Sequence, residues 1–170
     1  EAVQTVSLIS TDGGIIDFGS TGLAAASELT SFTASNTGGA NAADITTASF
    51  VVGNNAAAAK LTSIDLDASH GGDITLGAFD AAGASLTSIT MDSATSGSVI
   101  DIGGAITASS ITNITTTAVS GGSVDFSGVI TASNVGTIKH TGAGNFTMDA
   151  ANAIVTLERL DLTGATGTNS

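Results

Sequence analysis

The chain has no cysteine, so a disulfide framework, thiol catalysis and a cysteine-ligated zinc site are all excluded. Tryptophan and tyrosine are also absent, which removes the usual aromatic platform for stacking sugars. Basic residues are nearly missing: three Lys and Arg face fifteen Asp and Glu, for a net charge of −12. Such a surface repels phosphate backbones and anionic membranes, and it attracts divalent cations. Polysaccharide lyases and hydrolases acting on acidic sugars need cations beside their carboxylates, and Lys60, Lys139 and Arg159 are the whole supply. No apolar run approaches the roughly 20 residues of a membrane-spanning helix. Proline is absent as well, and no low-complexity linker or proline-rich cap stands apart from the rest.

What is present is small and evenly spread. Apolar residues make up 42% of the 170, much of it alanine, with 22 glycines and abundant Thr, Ser and Asn. The length suits one domain, and the scarcity of aromatics predicts a thin core of many similar layers. The chain begins at Glu1 without Met or a signal peptide, so we expect a processed or excised piece.

A repeat spans the length of the chain. "LTSIDLDASHGGDITL" from Leu61 aligns with "LTSITMDSATSGSVIDI" from Leu86 and "ITNITTTAVSGGSVDF" from Ile111. "VGTIKHTGAGNFTM" from Val135, "LERLDLTG" from Leu157, "LTSFTASNTGG" from Leu29 and "VQTVSLISTDGGIIDF" from Val3 complete the set. The spacings are 26, 32, 25, 25, 24 and 22 residues. Each copy opens on apolar, two small polar residues and apolar, and then alternates with period two, the signature of strands. Ile64 and Leu66 alternate with Asp65 and Asp67, and Val124 and Phe126 flank Asp125. A further short segment closes each copy, as in "GGAITASS" and "SGVITASN".

This pattern predicts an all-β fold: a parallel β-helix, or β-solenoid, filling residues 1–170 as a single domain. We expect six to seven coils of 22–26 residues, with three short strands per coil. The long second copy reads as a loop insertion near residues 38–44, which aligns "DITTASF" at Asp44 with "DITLGAF" at Asp73. Like residues should stack in vertical columns, one being Ile64, Ile89, Ile114, Ile138 and Leu160. Another, Leu66, Met91, Thr116, His140 and Leu162, turns polar midway. A leucine-rich repeat shares the L-x-x-L-x-L opening, but the rest of each copy has no helical stripe. "LAAASEL" from Leu23 and "NNAAAAKL" from Asn54 are the sole helix candidates.

The run "TIKHTGAGNFTMDAANA", Thr137 to Ala153, resembles the passenger-associated repeat of bacterial autotransporters, which joins a K-T-G-x-G-x-L-x-L run to a following x-A-N. In this chain His140 separates Lys139 from Thr141 and Gly142, and Phe146 and Met148 hold the two apolar places. That match covers about one repeat. A looser resemblance, to Thr-, Ser-, Gly- and Ala-rich surface-layer and adhesin solenoids, covers nearly the whole chain. The resemblance implies a bacterial protein, secreted or displayed at the cell surface, that serves as an adhesin, coat or filament. It assigns no site residues.

The densest chemical cluster along the chain is Asp65, Asp67, His70 and Asp73. In the aligned copies Asp65 becomes Thr90, Thr115, Lys139 and Asp161, and Asp67 becomes Asp92, Thr117, Thr141 and Thr163. That freedom marks outward strand positions, with His70 in a variable turn. Chemistry, if any, then lies across the rungs: Asp67 beside Asp92, and Asp101 beside Asp125. Stacked like charges destabilise unless neutralised, and calcium, which takes roughly 6–8 oxygens, is the candidate metal for these four. The calcium-loading nonapeptide GGxGxDxΦx is absent. Thr116 and His140 should meet inside the coil and complete each other's hydrogen bonding. No catalytic residue, cofactor site or nucleophile elbow is expected.

Three functions remain. The first is a non-enzymatic extracellular structural protein, a polymer of itself built by end-to-end or edge-strand stacking into a filament, surface layer or matrix. The second is an adhesin or binding stalk that recognises a surface glycan or protein. The third, ice binding, rests on the threonine column Thr30, Thr62, Thr87 and Thr112, which breaks at Gly136. Asn113-Ile-Thr115 and Asn145-Phe-Thr147 are formal glycosylation sequons that chance explains in so Asn- and Thr-rich a chain.

Overall fold

A computed structural model describes residues 3–10, 16–18, 28–36, 44–47, 50–51, 60–68, 72–93, 95–148 and 153–168. The expected insertion near 38–44, His70 and nearly all of the two alanine-rich helix candidates lie outside these residues, apart from Asp44 and a few flanking positions. Among the described residues every regular element is a strand.

Two parallel sheets wind round one another. The first contains β1 (Thr5–Ser10), β3 (Ser31–Asn36), β6 (Ser63–Asp67), β8 (Phe79–Ser93), β10 (Ile106–Ala118), β12 (Ile130–Thr141) and β14 (Ala153–Asp161), in that spatial order. The second runs from β2 (Ile16–Phe18) through β4 (Ile45–Thr47), β7 (Ile74–Leu76), β9 (Val99–Ile102) and β11 (Ser123–Phe126) to β13 (Asn145–Met148). The short β5 (Phe50–Val51) pairs with the start of β8. The chain alternates between the sheets once per repeat, so each strand hydrogen-bonds to its equivalents one copy earlier and later. This is a β-solenoid.

Two details differ from expectation. About four turns can be followed through both sheets, from Leu61 to Met148, rather than six to seven. Nor does each of these coils hold three separate strands. The closing segment of one copy runs without a break into the opening strand of the next, which makes β8, β10 and β12 15, 13 and 12 residues long. The join falls at Ser109 and Ser110, which turn away from the core between buried Ala108 and Ile111, and there the pairing with β8 shifts register. Two successive outward residues bend the strand round a corner while its hydrogen-bond ladder continues on both sides.

The register confirms the alignment of the repeats. Ile64 pairs with Ile89, Ile89 with Ile114, Ile114 with Ile138 and Ile138 with Leu160. Ile45 pairs with Ile74 and Phe50 with Phe79, which is the alignment of "DITTASF" on "DITLGAF". Inside, Leu61, Leu86, Ile111 and Val135 form one fully buried column and Ile64, Ile89, Ile114 and Ile138 a second. Phenylalanines fill the wider places: Phe32 meets Phe79 edge-on at 6.2 Å, and Phe126 meets Phe146 at 6.0 Å. No rung could bury these side chains alone, so stability accumulates between neighbours.

Candidate functional site

The four aspartates singled out above do stand one rung apart in two pairs. Asp67 pairs in register with Asp92, and Asp101 with Asp125. The pairs lie in columns that run Ile9, Ser35, Asp67, Asp92, Thr117 and Thr141 in one sheet, and Asp17, Thr46, Thr75, Asp101, Asp125 and Thr147 in the other.

The pairs differ in environment. Around Asp67 and Asp92 the strain is electrostatic. Burial, followed by the charge of Asp67 and then of Asp65, pushes the Asp92 carboxyl above its ordinary value. Asp65 is raised in the same way, by burial and by Asp67. Asp92 Oδ1 is shut from solvent and meets no hydrogen-bond partner. A proton on Asp92 relieves the repulsion, which is the physical content of the upward shift. At the second pair a hydroxyl intervenes instead: Ser127 Oγ donates to Asp101 Oδ1 at 2.7 Å. Among the described residues no three His, Asp or Glu side chains are grouped so as to hold a metal ion.

The remaining acids of the densest cluster have structural work. Asp73 Oδ1 accepts the backbone N–H of Val99 at 2.8 Å, and Asp44 Oδ1 accepts that of Asp73 at 3.1 Å. Farther along, Asn145 Oδ1 accepts Thr168 N–H at 3.1 Å. Asp44 and Asp73 thereby start the second-sheet strand of the next rung, supplying an acceptor where the ladder begins. The signal was the acid or amide just before each short apolar alternation, "DIT", "DIT" and "NFT". Asp73 therefore belongs to the backbone rather than to a ligand set with Asp65 and Asp67.

Inside the coil, Thr116 and His140 meet as expected. Thr116 Oγ1 and His140 Nδ1 are 2.7 Å apart, both side chains are fully buried, and the imidazole stacks on Phe146 at 5.1 Å and 20°. Thr116 Oγ1 also lies 3.4 Å from the Lys139 carbonyl. Which of the two donates in the Thr116–His140 bond is set by the imidazole tautomer. Nε2 meets no partner in hydrogen-bonding geometry. Burial depresses the basicity of this imidazole; the Gly144 backbone opposes that in part, as a weak polar contact. The pair fills a core column.

The threonine column is drawn into the same ladder. Thr30 Oγ1 donates to the Gln4 carbonyl and Thr62 Oγ1 to the Thr30 carbonyl, each at 2.9 Å. These two hydroxyls of the column each bond the backbone of the preceding rung.

The feature that the repeat alone did not disclose is at the end of the stack. β14 pairs with β12 on one side and, among the described residues, with no strand on the other. Leu157 and Leu160 continue columns that are fully buried at Val135 and Ile138, yet they are 42% and 54% exposed, and Leu162 beyond His140 is 36% exposed. At the opposite edge Val3 is 45% exposed, with Val6 and Leu8 half-buried.

No protein-family model matches the chain, and neither a curated protein nor a solved structure shows significant similarity to it. The passenger-repeat resemblance of Thr137–Ala153 accordingly rests on the sequence pattern alone.

Proposed function

We propose that this is a non-catalytic structural protein of the bacterial cell surface or exterior, whose solenoid units stack end to end into a filament, layer or matrix. The observation that carries this reading is the in-register stack of parallel strands from β1 to β14, in which each rung's inward columns are completed by its neighbours. An exposed parallel edge with inward apolar columns is a template for another strand. The acidic surface, at net charge −12, supports ordered growth along the axis, because like-charged sides repel lateral clumping.

Electron microscopy of the purified protein over a concentration series tests this. Filaments or sheets with a width of one solenoid are expected. Dispersed monomers at high concentration, with and without calcium, would overturn the reading and favour an adhesin stalk that engages a glycan or protein instead.

A further inference from the structure

We propose that the joint between the coil carrying Thr116 and the coil carrying His140 is an acid-sensitive latch. It stays shut while the buried imidazole is neutral and opens locally when that ring takes up a second proton. The latch is independent of self-assembly and works within a single chain.

The column that holds the ring runs Leu66, Met91, Thr116, His140. Two apolar rungs give way to two polar ones, and none of the four has any exposed surface. His140 Nδ1 lies 2.7 Å from Thr116 Oγ1 on the preceding coil, and the ring stacks on Phe146 of β13. Phe146 in turn meets Phe126 of the preceding coil edge-on at 6.0 Å. One imidazole on β12 is thus packed against the other sheet of its own coil and against the coil before it. Its Nε2 is shut from solvent and meets no partner in hydrogen-bonding geometry. The Gly144 backbone offers only a weak polar contact.

Among the described residues no carboxylate faces the ring. On β12 Lys139 is exposed, and on β11 Asp125 lies between buried Val124 and Phe126, on the opposite face. On β14 Glu158 accepts from Asn134, while Arg159 and Asp161 pair with each other and Asp161 lies in register with exposed Lys139. Neither β10 nor β13 contributes an ionisable side chain. A charged ring would therefore be unpaired inside the coil. The Phe146 face attracts a cation, but less than it costs to take an unpaired charge out of water. Water reaches the ring only if the two coils part. Because each coil is held by its neighbours alone, one joint can open while the others stay shut.

An opened ring takes its proton near the usual ~6.5. Below that value each pH unit favours the open joint by up to about tenfold. The raised carboxyls of Asp65 and Asp92 act with the opposite sign at β6 and β8, where protonation relieves repulsion.

Hydrogen exchange of the unsubstituted chain at about pH 7.5 and about pH 5, corrected for intrinsic rates, reads the latch directly. Amides of β12 and β13 should lose protection by roughly 10–30-fold, while those of β6 to β8 hold or gain. His140→Leu gives the column the residue it has at Leu66 and Leu162, and should abolish the loss. His70→Gln, at the other histidine, should leave the loss unchanged. A His140→Leu chain that still loses β12 and β13 protection overturns the latch. NMR of the His70→Gln chain gives a second reading that does not depend on altering the core. Its single imidazole should stay neutral until those amides open. An imidazole that titrates at ~6.5 or above, with β12 and β13 still protected, overturns the latch as well.

Discussion

The coil built on Ile111, Ile114 and Thr116 and the one built on Leu157, Leu160 and Leu162 hold the same places in the repeat. The first set is fully buried; the second is 36–54% exposed. Backbone conformation does not separate them, since β10 and β14 are both extended and each pairs in register with β12. What differs is the second neighbour. A solenoid rung is buried by the rungs on both sides, so identical sequence is worth most in the middle and least at an edge.

The sharpest way to break that comparison is to cut the same column at both places. Ile89→Ala, in the middle of the stack, should lose about 2–5 kcal/mol, and Leu160→Ala less than about 1 kcal/mol, measured by urea unfolding of dispersed protein. Equal losses would mean that the terminal rung is already covered.

A second test sets sequence pattern against structure. Gly136 occupies the place taken by Thr30, Thr62, Thr87 and Thr112 in other copies, which makes threonine the consensus choice. Yet a Cβ at Gly136 would lie 2.5 Å from the Thr112 carbonyl oxygen. Gly136→Thr should therefore destabilise by about 1–3 kcal/mol, as overpacking does. A stabilised variant would show that the rungs relax as freely here as elsewhere.

The two titrating sites predict slopes of opposite sign. His140 is less basic when folded than its usual ~6.5, so the unfolded chain binds the proton more readily. Its contribution is complete above that value and is lost as the pH falls below it. His140→Leu should flatten this part of the curve, and hydrogen exchange should show β12 and β13 loosening first in the unsubstituted protein. Asp65 and Asp92 are raised, so repulsion among them appears as the pH climbs from the ordinary carboxylate range through their folded values. Asp67→Asn should remove it.

The gain at neutral pH from Asp67→Asn, the smallest effect of the set, is about 0.5–1 kcal/mol. The same variant separates a bare pair from one that holds calcium. A bare pair gains with or without the ion, whereas an occupied one loses stability in calcium-containing buffer. Thermal melts with calcium and with chelator distinguish them.

Much of this was legible from residues alone, because a repeat prints its register in the chain. The column from Ile64 to Leu160, the pairing of Asp67 with Asp92 and the meeting of Thr116 with His140 all follow from aligning the copies. The local reading failed where one residue type serves two ends. Asp73 looks like Asp67 in sequence, but its carboxylate accepts the Val99 N–H of the following rung. The corner that fuses the third strand of one coil to the first of the next was also hidden, because two outward residues read equally as a turn or a bend. The bond from Ser127 to Asp101 was hidden as well, because Ser127 has no distinguishing mark in its own repeat.

The sequence by itself determined the solenoid. Period-two alternation within a repeat of about two dozen residues leaves each rung with an apolar face that only its own equivalents can cover. Which positions are truly inside was a matter for the tertiary structure, because burial belongs to neighbours. Leu160 and Ile138 hold the same place in the repeat, and the rung that covers Ile138 on its second side is what makes it a core residue.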